Sequence, residues 1–576
     1  MSNSNSENRN QISRRQALLL SATAGIGAAL TGTARASDST KTGVHQEPGT
    51  CSTPRSAVAK TQHGKVRGFL DGDVFTFKGI PYGQNTGGEN RWLPAKPPVP
   101  WDGEYPALIY GPNCPQILHS WDRPAAQQGQ GAAVRGSIEQ TFLQDWDDGY
   151  QGEDMLKLNV WTPRLTGKRP VMVYFHGGGF FFGSAYELPS QEGAQMARHH
   201  DVVSVTVNHR LNVLGFFDLS EIGGPAYADS VNVGMTDLVA ALRWVRDNIA
   251  NFGGDPDNVM IYGQSGGGSK VTTLMGMPSA AGLFHRASVQ SGGGGNPPSA
   301  EQSREFAKYI TAQLGLRPND IDSLKKMDWG TLNAAAMQVA DKVNGPRQPS
   351  LGMGAPWGST PHVGMGPTMD GRIIPGRSFF EGAPDISRNV PMLIGSVSEE
   401  GNQMSSKPTE AEWHDKLAKV IGDTKASALI AAMKKAHPEK SIPTLSYGVS
   451  GLLMRNNVTR MAKMKSDQKA APVFTYFFTW QSPMLEDAGA WHTAELAFCF
   501  DNTKRCEQGT GNTPAAQRLA KKMAMAWANF ARAGNPSQTG LTWKPFDPDQ
   551  CPTMVFDNKC RMVDDPEGAV RKILLS

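Results

Sequence analysis

Cysteine is scarce in this chain, with six copies in 576 residues. So few cysteines cannot supply the disulfide framework of a small secreted domain. The sequence contains no C-x-x-C and no H-E-x-x-H motif, so we predict no metal site and no cofactor. Two close pairs, Cys499 with Cys506 and Cys551 with Cys560, can each close a small loop in an oxidising compartment, or all six can remain free thiols.

An excess of one charge is also missing, since 57 Lys and Arg residues stand against 53 Asp and Glu residues. No Lys/Arg-rich run lies outside short helical faces, which argues against a nucleic-acid binder. The apolar run Ala17–Leu30 is too short and too rich in Gly and Ala for a stable membrane span of about 20 residues. With 39% hydrophobic residues, the chain can nevertheless bury a large core.

The first 36 residues have the pattern of an export signal. A polar start leads to Ser13-Arg-Arg-Gln16, then to the apolar run Ala17–Leu30 and to Ala34-Arg-Ala36. These segments correspond to an n-region, an h-region and an A-x-A-like cleavage site, and the paired arginines resemble a twin-arginine signal. The pattern predicts a periplasmic or secreted protein; the alternative is an uncleaved anchor or a chance basic-apolar start.

The rest of the chain is predicted to be a Ser/Thr/Gly/Pro-rich linker at 37–57 and one large α/β domain at 58–576. Buried strand-like runs alternate with helical patterns, which favours a mainly parallel sheet covered on both faces. Helical insertions are expected within this domain. The predicted strands are Lys157–Trp161, Val171–Phe175, Val202–Val207, Val259–Tyr262, Val390–Ile394 and Val473–Phe478, and the predicted helices are Asp237–Asn251, 301–345, 409–437 and 514–533.

Gly263-Gln264-Ser265-Gly266-Gly267 lies between a predicted strand and a predicted helix. This G-x-S-x-G pattern is typical of a nucleophile elbow, in which a strained turn exposes the serine hydroxyl above a sheet. The glycines remove side chains that would collide in such a turn. We therefore predict Ser265 as a catalytic nucleophile. A phosphate-binding loop is the weaker interpretation, because the lysine of that motif is displaced by one position.

A second glycine-rich loop, His176-Gly177-Gly178-Gly179, follows the strand predicted at Val171–Phe175. Acyl transfer places negative charge on a carbonyl oxygen, which backbone N–H groups stabilise. The sequence matches the HGGG loop that supplies such donors in lipases and esterases. We predict an oxyanion hole formed by the N–H groups of Gly177, Gly178 and Gly266, and a substrate pocket that includes Phe180 and Gln264.

A serine nucleophile needs a histidine base and a carboxylate that orients the base. In chain order the acid and then the histidine follow the nucleophile, each on a loop after a strand. His492 follows the strand Val473–Phe478 and a loop, and is the best candidate among the later histidines. Glu399 and Glu400 follow the strand Val390–Ile394, and position alone does not choose between them. The unused glutamate is expected to be a surface charge.

Several longer motifs then resemble one family, the type-B carboxylesterases of the cholinesterase-like α/β-hydrolases. The resemblance covers roughly residues 58 to 565 and implies an α/β-hydrolase fold, a mostly parallel sheet flanked by helices with insertions around the active site. It also selects Glu400 as the acid, because the family's acid precedes a glycine. The matching segments are Phe77–Tyr82, Gly152–Trp161, Asn208–Phe216, Asn248–Pro256 and His492–Glu495.

The resemblance implies a carboxylic ester hydrolase with the triad Ser265, Glu400 and His492, acting through an acyl-enzyme on a small-molecule ester. It also implies two buried ion pairs, Arg91 with Glu153 and Arg210 with Asp237. Alternatives are a non-catalytic relative of the same fold, or a hydrolase of amide or carbamate bonds with the same triad.

Three positions depart from the family pattern. Gln264 and Gly266 replace a glutamate and an alanine that often flank the nucleophile, and the neutral Gln264 weakens the case for cationic substrates. Met155 replaces a cysteine, which leaves Cys114 without its usual partner and predicts a free thiol. Ser291 is a second serine next to a glycine pair, but it lacks the preceding glycine of the elbow and is expected to be supportive.

Overall fold

A computed structural model describes residues 50–51, 57–117, 143–147, 149–345, 351, 363–401 and 407–576. The predicted signal at 1–36 and most of the predicted linker at 37–57 lie outside these residues. No helix within the described part of the chain is both long enough and apolar enough to cross a membrane.

Fifteen strands form two sheets in the described residues. The small sheet has the order β2-β3-β6, and the large sheet has the order β1-β4-β5-β7-β9-β8-β10-β11-β12-β13-β14-β15. The strands are β1 (Thr50–Cys51), β2 (Val58–Thr61), β3 (Gly64–Arg67), β4 (Phe69–Asp71), β5 (Val74–Pro81), β6 (Glu104–Pro106), β7 (Lys157–Thr162), β8 (Arg169–Phe175), β9 (Val203–Val207), β10 (Gly254–Gln264), β11 (Arg286–Gln290), β12 (Met392–Val397), β13 (Val473–Phe478), β14 (Pro552–Phe556) and β15 (Arg561–Asp564).

The centre of the large sheet is parallel, from β9 through β8 and β10 to β14, and the flanking strands are antiparallel. The predicted strands are therefore confirmed as members of a mainly parallel sheet, with ends that differ by a few residues. Parallel strands bring their carboxyl ends to one edge. The loops after β8, β10, β12 and β13 consequently meet there, although they are far apart in the sequence.

Helices alternate with these strands and cover the sheet. They are α1 (Ala194–His200), α2 (Asn212–Gly215), α3 (Val233–Asn248), α4 (Gly266–Met275), α5 (Ala300–Gln313), α6 (Ile321–Lys326), α7 (Trp329–Asn344), α8 (Glu410–Ile421), α9 (Asp423–Ala436), α10 (Ile442–Ser466), α11 (Leu496–Cys499), α12 (Glu507–Thr510), α13 (Pro514–Ala533) and α14 (Gly568–Leu575).

The packing of β8 explains why its sequence is apolar after Arg169. Val171 and Val173 belong to one hydrophobic core, together with Val271 of α4. Met172 belongs to a second core on the other face, together with Trp527 of α13. Successive side chains of a strand point to opposite faces, so a strand buried on both faces needs apolar residues at every position.

The sequence pattern did not predict α10, a helix of 25 residues. Most of its length is buried, so no single apolar stripe marks it. A Cβ at Gly451 would overlap the backbone carbonyl of Ser398, after β12, which shows how closely α10 approaches the loop that carries the predicted acid. Strand β15 was also not predicted.

Both predicted ion pairs are confirmed. Arg91 Nε donates to Glu153 Oε2 at 2.8 Å, and Arg210 Nε donates to Asp237 Oδ2 at 2.8 Å. The second pair is almost completely buried, with side-chain exposures of 1% and 0%. Buried charges persist only when they are paired and hydrogen-bonded, as both carboxylates are here.

The five cysteines whose side chains the structure describes are free thiols, so neither small loop is closed. Pro552 pairs with Asp564 and Val555 with Arg561 across the β14–β15 hairpin. Cys551 and Cys560, which precede Pro552 and Arg561, therefore lie at opposite ends of the hairpin. Cys114 is buried and free, as predicted.

Candidate active site

The predicted elbow is a sharp turn between β10 and α4. Ser265 has φ 59° and ψ −122°, a strained conformation for a residue with a side chain. Its backbone N–H donates to the carbonyl of Gln290 in β11 at 2.8 Å, which ties the turn to the neighbouring strand. A Cβ at Gly263 would lie 2.5 Å from the carbonyl carbon of Gly267, so the turn closes only with glycine. Ser265 remains partly exposed while the glycines around it are buried.

The glycine loop after β8 lies directly against this turn. A Cβ at Gly177 would be 3.6 Å from the Cβ of Ser265. A Cβ at Gly266 would overlap the backbone of Gly179. Gly178 and Gly179 have φ values of 75° and 63°, which favour glycine. The structure therefore brings together all three predicted oxyanion donors and the nucleophile.

Within the described residues, the backbone N–H groups of Gly177, Gly178 and Gly266 donate to no protein acceptor. Gly266 is the first residue of α4, where the helix dipole favours negative charge. Unpaired N–H groups beside a strained serine are what an oxyanion hole requires. Gly179 is a further candidate donor that the sequence did not single out, because its backbone packs on Gly266 only in the folded chain.

His492 lies on the loop after β13, and its Nδ1 is hydrogen-bonded to Glu400 Oε2. The other carboxylate oxygen of Glu400 accepts a hydrogen bond from the Val397 N–H at 3.1 Å. The Glu400 side chain is 0% exposed and the His492 side chain is 16% exposed. A carboxylate on Nδ1 fixes the tautomer that leaves the Nε2 lone pair available as a base.

Gln264 packs on the imidazole of His492. Its Nε2 is 3.3 Å from His492 Nδ1 and 3.2 Å from His492 Nε2. Nearly equal distances place the amide over the ring face, since a donor aligned with one lone pair would be nearer to that nitrogen. Gln264 is 1% exposed, so the structure places it behind the base rather than on an open pocket wall.

Within the described residues, no hydrogen bond joins the His492 ring to Ser265. Catalytic hydrogen bonds are often long in unliganded enzymes and shorten when substrate binds. The structure therefore pairs the predicted base with its predicted carboxylate, without a direct hydrogen bond to Ser265.

Glu399 is not the surface charge that the sequence suggested. Its side chain is 1% exposed and accepts hydrogen bonds from Lys440 Nζ at 2.6 Å and from the Ala490 N–H at 2.8 Å. Its own N–H donates to the Ala490 carbonyl at 3.1 Å. Glu399 thus stabilises the position of the segment that precedes His492. The expectation was wrong because Lys440, 41 residues away, is brought to the same place by α10.

Glu495 is a second buried carboxylate near the triad, on the same segment as His492. Burial, followed by repulsion from Glu400, raises its pKa from 4.5 to about 8. Glu495 is therefore largely protonated at neutral pH and adds no second full negative charge beside the Glu400–His492 pair. The sequence marked Glu495 only as part of a motif.

The remaining candidates are placed less centrally. Phe180 packs edge-on against Phe216, with ring centroids 5.4 Å apart, and stays partly exposed next to the glycine loop. Phe181 is 43% exposed. Ser291 is 1% exposed at the end of β11, where a substrate carbonyl cannot reach it. No cluster of three or more metal-ligating side chains occurs in the part of the chain that is described.

Comparison with known proteins gives a consistent result. A model described as the carboxylesterase family matches residues 55–570. Para-nitrobenzyl esterase of Bacillus subtilis (strain 168) is 30% identical over 522 residues, covering 90% of this chain and 98% of the relative. Phenmedipham hydrolase of Pseudarthrobacter oxydans is 32% identical over 519 residues, covering 87% and 95%.

A solved esterase of Clostridium hathewayi, described as able to hydrolyse aliphatic aromatic polyesters, has a TM-score of 0.76 and 33% identity. The match covers 91% of this chain and 99% of that one. The resemblance inferred from the motifs is confirmed over nearly the whole described domain. The chain therefore belongs to the carboxylesterase family and is a serine ester hydrolase with the α/β-hydrolase fold.

Proposed function

We propose that the chain hydrolyses uncharged esters of small to medium size through a triad of Ser265, His492 and Glu400. The observation that carries the proposal is the hydrogen bond between His492 and Glu400 on the loops after β13 and β12. These loops lie at the same edge of the sheet as the strained Ser265. The unpaired N–H groups of Gly177, Gly178 and Gly266 also lie there. This combination supports acyl transfer to a serine.

In the first half of the reaction, Ser265 Oγ attacks the ester carbonyl carbon and its proton passes to His492 Nε2. The N–H groups of the glycine loop and of Gly266 stabilise the oxyanion. The tetrahedral intermediate then breaks its bond to the alcohol oxygen, which takes the proton from His492. In the second half, water attacks the acyl-enzyme and gives its proton to His492. The acid leaves, and His492 returns this proton to Ser265.

The preference for uncharged esters rests on Gln264, which places a neutral amide where a carboxylate often stands in the family. No negative charge from this position is therefore available to attract a cationic alcohol group. The relatives named for para-nitrobenzyl and polyester substrates are consistent with neutral aromatic esters.

The triad is tested with a fluorophosphonate probe and with p-nitrophenyl esters of increasing acyl length. Wild type should be labelled at Ser265, and Ser265→Ala should lose about 10⁴- to 10⁶-fold in kcat. Ser291→Ala is the control for a second nucleophile and should still be labelled at Ser265. Equal rates for wild type and Ser265→Ala would refute the proposal. Amides of the same acyl groups, measured in parallel, should be hydrolysed far more slowly than the esters.

We also propose that the protein is exported through residues 1–36 to the periplasm or the medium. The support is the order of paired arginines, apolar run and small-residue cleavage site in the sequence. Replacing Arg14 and Arg15 together by lysine should retain the precursor in the cytoplasm, measured by cell fractionation. Unchanged export of this variant would contradict a twin-arginine signal.

A further inference from the structure

A buried lysine lies behind the oxyanion loop. Lys270 is on α4, five residues after the nucleophile, and is 0% exposed. Its Nζ donates to the carbonyl of His176 at 2.8 Å and to the carbonyl of Gly177 at 3.3 Å. Both acceptors belong to the glycine loop. The nucleophile helix is therefore connected to the loop through an amino group.

The two carbonyls are chemically linked to two oxyanion donors. A peptide bond is planar, so the His176 carbonyl and the Gly177 N–H belong to one peptide unit. The Gly177 carbonyl and the Gly178 N–H likewise belong to the next unit. A donor on the carbonyl end of a peptide polarises the N–H at its other end, and the effect is larger when the donor is charged. Lys270 thus contacts the carbonyl ends of the two peptide units whose N–H ends face the substrate.

Packing alone does not explain a lysine at this position. Burying an ammonium costs several kcal/mol unless the group is well paired. Val271, the next residue along α4, belongs to an ordinary apolar core. The amino group of Lys270 instead directs its donors at the one loop that must hold its N–H groups towards a developing charge.

We propose that Lys270 is a positioning residue of the oxyanion hole, which fixes the glycine loop and strengthens the Gly177 and Gly178 N–H groups as donors. The inference rests on the proposed ester hydrolysis and adds a residue outside the triad and the hole itself. Its benefit is expected mainly in the transition state, because only there does the carbonyl oxygen carry a full negative charge.

Lys465 provides a matched control. It is also 0% exposed, and its Nζ donates to the carbonyls of Ser387 and Arg388 at 2.9 and 2.7 Å and to Gln468 Oε1 at 2.8 Å. It makes the same kind of buried contact away from the triad. Lys465→Met should therefore reproduce the general cost of removing a buried ammonium without touching the oxyanion loop.

The experiment compares Lys270→Met, Lys270→Gln and Lys465→Met with wild type, using p-nitrophenyl esters and an alkyl trifluoromethyl ketone. Ser265 Oγ adds to the ketone carbonyl carbon. The oxyanion that forms then lies in the oxyanion hole. Lys270→Met should lower kcat about 10- to 50-fold with KM changed less than about threefold, which is smaller than the loss of a direct donor. The inhibition constant of the ketone should rise in parallel with the loss of kcat/KM.

Lys270→Gln retains a neutral donor and should fall between wild type and Lys270→Met, which also covers the case in which the methionine variant does not fold. Lys465→Met should keep kcat and ketone binding within about twofold of wild type. Equal kcat and ketone binding in the Lys270 and Lys465 variants would overturn the proposal. Labelling of wild type by the fluorophosphonate probe tests the proposed function separately, so the two failures are distinguishable.

Discussion

The two halves of the candidate active site are built in different ways. The half that holds Ser265 and the glycine loop is made of backbone, with glycines at close approaches and one buried lysine behind them. The half that holds His492 is made of side chains, with three buried glutamates at 399, 400 and 495. The first half depends on close backbone packing. The second depends on which carboxylate is protonated and which is paired with a cation.

This difference predicts which substitutions each half tolerates. A glycine position fails when a Cβ is added, whatever the charge of the new side chain. A buried carboxylate fails when its partner is lost, even if the volume is conserved. Substitutions that separate these two modes of failure test the comparison directly.

The largest effect on stability is expected from Lys440→Met, which leaves Glu399 buried without its cation. Breaking a buried pair costs about 3–5 kcal/mol of unfolding free energy, measurable by urea denaturation. The turnover number should also fall, because Glu399 fastens the segment before His492. The double variant Lys440→Met/Glu399→Gln should recover most of the stability. A double variant no more stable than the single one would contradict this role of the pair.

The next largest effect is expected from Gly266→Ala in the backbone half. The new Cβ would overlap Gly179 and force the glycine loop away from Ser265. We expect kcat to fall about 100-fold, comparable to the loss of one oxyanion donor. Gly376→Ala is the control, because a Cβ there has nothing within 4 Å. Full activity of Gly266→Ala would show that the loop relocates without cost.

A pH-dependent effect on stability is expected from Glu495→Gln. The folded pKa of about 8 exceeds the ordinary 4.5, so the folded state binds more protons than the unfolded state between these values. Wild-type stability should therefore fall as pH rises from 4.5 to 8, and the glutamine variant should lose less. Unfolding curves at pH 5 and pH 8 measure the difference; parallel losses would exclude a protonated Glu495.

The smallest effect is the pH dependence of the contribution of Lys270. It is measured as the kcat/KM of wild type divided by the kcat/KM of Lys270→Met. Burial lowers the pKa of Lys270 to about 7, and the charge of Glu187 opposes this. His176 and His209 also face the lysine, and burial followed by the Lys270 charge holds both of their pKa values well below 6.5. Lys270 is therefore the neighbouring cation that changes near neutral pH.

The ammonium form predominates below pH 7, so the ratio should decrease several-fold between pH 6 and pH 9. Changes that are common to both enzymes cancel in the ratio. Kinetics with one p-nitrophenyl ester over this range provide the measurement. A ratio that increases with pH would contradict a role for the positive charge.

Local pattern was sufficient for much of the fold and for the backbone half of the site. Strands β8 and β10 contain the apolar runs Val171–Phe175 and Val259–Tyr262, and a glycine loop follows each run directly. The helix α10 was not predicted because burial on most sides removes the periodic pattern on which such predictions depend.

The side-chain half of the site needed the fold. His492 was selected by chain order and Glu400 by resemblance, but the partners of Glu399 and the protonation of Glu495 depend on residues distant in sequence. The same is true of Lys270, which in sequence is only a lysine within an apolar helix. Its contact with the carbonyls of the loop after β8 exists because β8 and β10 are neighbours in the sheet.

The sequence by itself located the candidate nucleophile, the two glycine loops and the strands that precede them, because each is a pattern of residues close together in the chain. The tertiary structure alone decided which buried charge is paired with which. That choice depends on desolvation and on distances of a few ångströms between segments that only the folded sheet brings together.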